Sequence, residues 1–158
     1  FFWYHKFHNP FSRLIIIGSE RSCPRYFAML KMLAGGLGVT NINFEGFASP
    51  RGIQTYYQNA DLFVTTSAHE GFCLPLLEAM HHGIPVIAPE LGGIPEALNG
   101  AGVMYSDLRP AELGALFHRV LSDSALRTEI LASQTKRLAE VRARNIEAEL
   151  AELMKGFA

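Results

Sequence analysis

The stretch DLFVTTSAHEGFCLPLLEAMHHGIPVIAP, residues 61–89, contains two short apolar segments separated by a loop and a helical segment. The apolar segments, Leu62–Val64 and Pro85–Ala88, lack the alternation of apolar and polar residues that a half-exposed antiparallel strand shows. Between them, the spacing predicts a helix from Pro75 to about His82, because proline suits a first helical turn and Gly83 suits a helix end. The stretch therefore predicts a strand, a helix and a second, parallel strand.

The same alternation continues on both sides of this stretch. Further apolar runs occur at Leu14–Ile17, Ile42–Phe44 and Val103–Met104, and most are followed by turn residues and a segment of helical spacing. Strands that are apolar on both faces need helices on both sides of the sheet. The sequence therefore predicts an α/β fold with an open, doubly wound parallel sheet.

Helix signals agree with this fold class. Ser22 is the predicted N-cap of a helix whose segment Tyr26–Ala34 should end at Gly35-Gly36. After Asp123 no strand signal returns, and one or two closing helices are expected from a rough apolar stripe. Its members are Leu138, Val141, Ile146, Leu150 and Leu153.

Composition limits the possible functions. The 158 residues suit one domain, residues 1–158, and 49% of them are hydrophobic. Fourteen Lys and Arg against fifteen Asp and Glu give a net charge of -1, so a broad attraction to nucleic acid or to an anionic membrane is not expected. Cys23 and Cys73 lack metal-ligand or disulfide-framework spacing, which favours a reducing, cytoplasmic compartment and no metal site. No apolar run is long enough to span a membrane.

The loop before the predicted helix has the chemistry of an anion site. In open α/β sheets, ligands bind beyond the carboxyl ends of the strands, where this loop lies. Residues Gly71, Phe72, Cys73 and Leu74 lead into a helix N-terminus, whose N–H groups lack internal partners and whose dipole favours negative charge. Gly71 and the small Cys73 side chain allow close approach of a ligand. A phosphate or diphosphate is the expected ligand.

Two carboxylates bracket this loop. Glu78, one turn into the helix, would repel phosphate but can accept the hydroxyl protons of a ribose diol. Glu70, before the loop, lies toward the opposite end of a diphosphate, where it can accept hydrogen bonds from sugar hydroxyls. The pair predicts a nucleotide-sugar, with one glutamate for each sugar.

The segment EGFCLPLLE, Glu70–Glu78, resembles the motif of two glutamates separated by seven residues in retaining family-4 glycosyltransferases of the GT-B fold. The surrounding blocks are similar in order and spacing to the donor-binding, carboxy-terminal domain of those enzymes, over about Leu14 to Ser106. The blocks are NINFEGFAS, YYQNADLFVTTSAHEGF, EAMHHGIPVIAPELGGIPEAL and GAGVMYS.

This resemblance implies a function and a set of roles. Glu78 would hold the donor ribose, Glu70 would contact the donor sugar as the catalytic carboxylate, and the backbone of 71–74 would hold the diphosphate. Phe47 and Ala48 would contact the base, largely through backbone groups. The reaction implied is transfer from a UDP-, GDP- or ADP-sugar to an acceptor hydroxyl with retention of anomeric configuration, without a metal or other cofactor.

The chain departs from that family in two respects, which are the residues that neutralise the diphosphate and the absence of an amino-terminal acceptor domain. The Arg and Lys, a few residues apart, that usually neutralise the diphosphate are not in place, and Lys6 and Arg13 do not fit the pattern. Because the sequence opens on Phe1 without methionine, we expect a fragment that lacks the first strand and an amino-terminal acceptor domain. Such a fragment should be inactive alone, with a glycan or lipid-linked acceptor bound by the other half and with peripheral membrane attachment left open.

Other functions are compatible with parts of the sequence. A non-catalytic nucleotide-binding module of the same ancestry would keep both glutamates, and a sugar-nucleotide epimerase would fit the diphosphate loop but not the full set of blocks. Cys73 beside a helix N-terminus could be a nucleophile of lowered pKa, although a small residue packed against phosphate explains it better. The turn GGIPE, Gly92–Glu96, either approaches the donor or simply begins a short helix. Arg137, Arg142 and Arg144 are expected on a solvated helix face.

Overall fold

The structure is a computed structural model, and it describes residues 1–145 and 147. The chain divides into two compact units. The first unit comprises Phe1–Leu62 and Tyr105–Arg127, and the second comprises Phe63–Met104 and the described residues from Thr128 onwards.

The first unit is built around two parallel strands. Strand β1 pairs with β2 from Leu14 opposite Ile42 to Ile17 opposite Glu45. A helix connects the two strands, as a parallel pair requires. The elements of this unit are α1 (Phe2–Phe7), β1 (Leu14–Ile17), a 3₁₀ turn (Glu20–Ser22), α2 (Pro24–Gly36), β2 (Ile42–Glu45), α3 (Pro50–Asn59) and α6 (Pro110–Ser122).

Helix α2 differs from its predicted bounds at both ends. Ser22 lies in the 3₁₀ turn, and Cys23 is the N-cap. Gly35 and Gly36 lie inside the helix, because neither has the left-handed backbone that ends a helix. The residue with that conformation is Gly38, at φ +66°. Both predicted ends were therefore wrong by one or two residues.

The second unit holds a three-stranded sheet in the order β3, β4, β5. Phe63 of β3 lies opposite Val86 of β4, and the two strands are parallel. All four residues of β4 are buried, as expected of a strand covered on both faces. The elements are β3 (Phe63–Val64), α4 (Leu74–His81), β4 (Val86–Pro89), α5 (Ile94–Leu98), β5 (Val103–Tyr105) and α7 (Ser124–Ala143). Most of α7, from Thr128, belongs to this unit.

Apolar side chains without exposed surface form the core of the second unit; they include Leu76, Ala79, Val86, Ile87, Ile94 and Leu98. One buried polar side chain, Gln134 of α7, joins this core. Its Nε2 donates to the Ile84 carbonyl at 2.8 Å, and its Oε1 accepts from the Val86 N–H at 2.9 Å. The closing helix is therefore attached to β4 by hydrogen bonds as well as by apolar contact.

The predicted α/β class with parallel strands is confirmed. In the described part of the chain the strands are distributed over two sheets, of two and three strands. The expected closing helix is α7, whereas Ile146, Leu150 and Leu153 of the predicted stripe lie outside the described residues. Among the residues that the structure describes, no helix combines the length and hydropathy needed to cross a bilayer.

Candidate functional site

Two loops leave the same edge of the sheet in the second unit. One follows β3 and runs to the start of α4, and the other follows β4 and runs to the start of α5. Because β3 and β4 are parallel, their carboxyl ends meet at one edge, where open α/β sheets bind ligands. The first loop carries Glu70 and residues 71–74, so the predicted site residues of this unit lie at the expected edge.

The two loops contact each other through backbone atoms. The N–H of Gly93 donates to the Glu70 carbonyl at 2.9 Å. A Cβ placed on Gly93 would lie 1.5 Å from the Gly71 carbonyl oxygen, and one on Gly92 would lie 2.8 Å from the Glu70 carbonyl oxygen. The GGIPE turn therefore contacts the first loop through its glycine backbone. Its approach to the donor stays a prediction.

The N–H groups of the first loop are available to a ligand. Within the described part of the chain, no backbone carbonyl accepts a hydrogen bond from residues Gly71, Phe72, Cys73 or Leu74. The next hydrogen-bonded amide is that of Leu76, which donates to the Cys73 carbonyl at 2.9 Å. Four consecutive N–H donors at the start of a helix suit an anion.

Cys73 has an unusual backbone and a buried side chain. It is the N-cap of α4, with φ 55° and ψ 63°, a left-handed conformation that glycine adopts more readily. Its side chain is 7% exposed. Burial, and then the negative charge of Glu70, raise the pKa of the Cys73 thiol. The structure therefore contradicts a nucleophilic thiol of lowered pKa at this position.

Glu70 and Glu78 lie on either side of these N–H groups along the chain. Glu70 is half-buried, and its negative charge acts on the Cys73 thiol. Glu78 is exposed, four residues after the exposed Leu74, so both residues lie on one face of α4. The opposite face of α4 carries the buried Leu76 and Met80. Glu78 is thus on the side of the helix that solvent and ligands reach.

Phe47 and Ala48, the predicted base contacts, belong to the first unit. They lie in the loop between β2 and α3, as expected, with Phe47 90% exposed. Ser49 ends this loop by accepting a hydrogen bond from the Gly52 N–H at 3.2 Å, which caps α3. Glu45 lies at the end of β2, just before this loop, and accepts a hydrogen bond from Tyr56. Burial, and secondly the negative charge of Glu45, raise the pKa of the Tyr56 phenol.

Arg137 supports helix α5, a role that the sequence did not predict. It was predicted on a solvated face, but its side chain is only 10% exposed. Its Nε donates to the Ala97 carbonyl at 2.9 Å and its Nη2 to the Glu96 carbonyl at 2.8 Å, which satisfies carbonyls of the short helix α5. No local sequence signal separates Arg137 from the exposed Arg142 and Arg144.

The histidines of α4 do not form part of a metal cluster in the described residues. The rings of His81 and His82 meet edge to face at 5.4 Å, and Arg142 lies 2.9 Å from Nδ1 of His81. Within the described ranges, no group of three or more His, Cys, Asp or Glu could hold a metal ion.

Comparison with known families gives one match that covers most of the chain. The sequence pattern of the family described as "Glycosyl transferases group 1" matches residues 5–123. The match includes β1 to β5 and both loops of the site.

Two curated relatives have similar sequences. The serotype-specific mannosyltransferase WbdA of Escherichia coli is 30% identical over 97 residues, which is 61% of this chain and 12% of WbdA. The D-inositol 3-phosphate glycosyltransferase of Streptomyces bingchenggensis (strain BCW-1) is 34% identical over 100 residues, 61% of this chain and 22% of the enzyme. The matching region is thus a small part of each relative.

Solved structures resemble the fold. The C-terminal domain of a glycosyl transferase group 1 family protein, LpcC, from Francisella tularensis has a TM-score of 0.72 at 25% identity, covering 88% of this chain and 73% of that domain. Anabaena Alr3699/HepE in complex with UDP-glucose has a TM-score of 0.73 at 27% identity, covering 91% of this chain and 41% of HepE.

Proposed function

Since this chain belongs to the group 1 glycosyl transferases, we propose that its second unit binds the diphosphate of a nucleotide-sugar donor, from which a glycosyl group is transferred to an acceptor hydroxyl. The observation that carries the proposal is the run of N–H groups at 71–74, free of backbone partners within the described residues and bracketed by Glu70 and Glu78. The complex of HepE with UDP-glucose supports a donor of this class.

The diphosphate binds at the loop before α4. Backbone N–H groups hold its oxygens without the desolvation cost of burying side-chain cations, and the positive end of the α4 dipole adds to the attraction. Gly71 leaves the approach open, because a Cβ placed on it would meet nothing within 4 Å. The loop can therefore surround an anion with donors while remaining open to solvent on the ligand side.

Glu78 binds the ribose. Its position one turn after Leu74 puts a carboxylate on the same exposed helix face as the N-terminal donors. A carboxylate accepts from two vicinal hydroxyls at once, which suits a ribose diol and excludes direct contact with phosphate.

Glu70 contacts the transferred sugar. A carboxylate offers about four acceptor positions, which suits the several hydroxyls of a sugar. Phe47 and Ala48 remain our proposed base contacts, on the strength of their place in the loop after β2.

Transfer proceeds with the diphosphate as the leaving group. The bond between the anomeric carbon and the phosphate oxygen breaks, the diphosphate takes the electron pair, and the acceptor oxygen bonds to that carbon as its proton passes to the departing diphosphate. The N–H groups at 71–74 stabilise the charge that develops on the departing phosphate, which is the main catalytic contribution expected of this loop. Cys73 is not a covalent nucleophile, since its raised pKa keeps the thiol protonated at neutral pH.

We propose that the anomeric configuration is retained, as in the enzymes that the Glu70–Glu78 segment resembles. The stereochemistry can be measured from the anomeric coupling constant of the newly formed glycoside. A product with the donor's configuration supports retention, and the inverted product contradicts it.

The binding proposal can be tested with the 158-residue chain. It is titrated with UDP, GDP and ADP by calorimetry, and the nucleotide that binds best is repeated with Glu78→Gln and with Glu129→Gln, an exposed glutamate of α7. Loss of a charged acceptor costs about 1.5–3 kcal/mol, so Kd should rise at least tenfold for Glu78→Gln and stay unchanged for Glu129→Gln.

Each result of this titration decides a different point. Saturable binding that depends on Glu78 supports the donor site and identifies the base. Equal affinity for wild type and Glu78→Gln contradicts the ribose role, and failure of folded protein to bind any of the three nucleotides contradicts the donor site in this chain.

A further inference from the structure

We propose that Gly92 and Gly93 are positioning residues. They hold residues 70–74, the donor loop, in the binding geometry before the nucleotide arrives. The proposal rests on the function proposed for residues 70–74. It assigns to the two glycines a mechanical role, in which their backbone, and not a contact with the ligand, sets where the N–H groups of the loop point.

The first line of evidence is the contact itself. The Gly93 N–H donates to the Glu70 carbonyl at 2.9 Å, and this bond joins residues that are 23 positions apart in the chain. It fixes the backbone at the residue immediately before the four N–H donors. The start of the segment 70–74 is therefore held before any ligand binds.

The second line of evidence is that only glycine fits. A Cβ on Gly93 would overlap the Gly71 carbonyl oxygen at 1.5 Å, and that carbonyl is backbone that cannot turn aside like a flexible side chain. At Gly92, a Cβ would approach the Glu70 carbonyl oxygen to 2.8 Å, and φ of +57° adds a further preference for glycine. Any side chain would push the donor loop away from α5.

The third line of evidence is the rigidity of the support. Ile94, Ala97 and Leu98 of α5 have no exposed surface. The carbonyls at the end of α5 accept hydrogen bonds from Arg137, and Arg137 in turn pairs with Glu140 at 3.3 Å. The glycine pair is therefore attached to a helix that is held at its far end by α7. A donor loop supported in this way loses little conformational entropy when the ligand binds.

The unmodified chain provides the first test, without any nucleotide. NMR should detect a scalar coupling through the hydrogen bond between the Gly93 amide nitrogen and the Glu70 carbonyl carbon, together with slow exchange of the Gly93 amide. Addition of UDP should leave both unchanged. A missing coupling, or a Gly93 amide that becomes protected only after UDP is added, would overturn the proposal.

The second test compares Gly93→Ala with Gly35→Ala, a helix position where a Cβ meets nothing within 4 Å. In Gly93→Ala we expect the Kd for UDP to rise at least tenfold and the Leu76 amide to exchange at least tenfold faster. The Val86 amide, which bonds to Gln134, should keep its wild-type protection. Gly35→Ala should match wild type in every measurement.

Wild-type affinity in Gly93→Ala would overturn the positioning role even if the coupling is present. A wild-type chain that binds none of UDP, GDP and ADP would instead contradict the proposed function, because the coupling is measured without nucleotide. The two proposals can therefore fail separately.

Discussion

The negative charge of the Glu70 carboxylate acts on the thiol of Cys73, three residues later in the donor loop. This interaction links a buried, left-handed residue at the start of α4 to the half-buried carboxylate proposed to contact the donor sugar. It also determines the protonation state of the cysteine, because burial and the adjacent negative charge both favour the neutral thiol.

Cys73 should react slowly with thiol reagents. The thiolate is the reactive form, and burial together with Glu70 raises the pKa of the Cys73 thiol. Cys23 is exposed and serves as the internal control. With iodoacetamide at pH 8, followed by peptide mass spectrometry, we expect Cys73 to be modified at least tenfold more slowly. Equal rates would contradict the buried, protonated thiol.

Stability should decline at alkaline pH through this thiol. Because the folded state holds the pKa of Cys73 above its ordinary value, the stabilisation is complete below that value and is lost as pH rises through it. The free energy of unfolding of wild type should therefore fall faster than that of Cys73→Ser between about pH 7 and 10, since serine does not titrate there. Parallel curves in urea denaturation would show that the thiol does not contribute.

The backbone conformation of Cys73 predicts an unusual order of stability. Cys73→Gly and Cys73→Ala both remove the thiol, but only alanine keeps the strain of a Cβ at φ 55°. We expect the glycine variant to be more stable by about 1 kcal/mol, the reverse of the order found in a helix interior. Urea unfolding of both variants measures the difference, and the reverse order would contradict left-handed backbone at this position.

Gln134 should be costly to replace. Leucine at this position would leave the Val86 N–H and the Ile84 carbonyl buried without their partner. Each orphaned group costs about 1–3 kcal/mol, so we expect Gln134→Leu to lower the free energy of unfolding by about 2–4 kcal/mol. The exposed Gln54→Leu is the matched control and should change it by less than about 0.5 kcal/mol. Similar values for the two variants would show that Gln134 contributes no more than a surface glutamine.

Arg137 should matter more than the lysine beside it. Arg137→Met removes two hydrogen bonds from a cationic side chain to the Glu96 and Ala97 carbonyls, and we expect a loss of about 2–3 kcal/mol. Lys136→Met changes an exposed position of the same helix and should be nearly neutral. Thermal unfolding of the two variants compares them, and equal midpoints would contradict the support that α7 gives to α5.

The residues differ in how far their roles could be predicted from sequence. The loop 70–74 and Glu78 were predicted at the carboxyl end of a strand and at a helix start, and the structure places them there. The predicted end of α2 was wrong because Gly35 and Gly36 were taken as a helix stop. The backbone after this helix becomes left-handed at Gly38. The prediction for Arg137 was wrong because a charged side chain is expected in solvent. Only the position of α5 decides that the guanidinium is enclosed.

The amino-acid sequence by itself determined the α/β class, the order of strands, loops and helices, and the presence of two glutamates around a donor loop. These follow from periodicity and from glycine and proline signals, which act between residues close in the chain. Only the tertiary structure decided that Gly93 holds Glu70, that Gln134 joins β4 and that the Cys73 thiol is kept protonated. The first two contacts join residues 23 or more positions apart, and the third depends on burial. Such features arise from how whole elements pack, and packing leaves no period in the sequence.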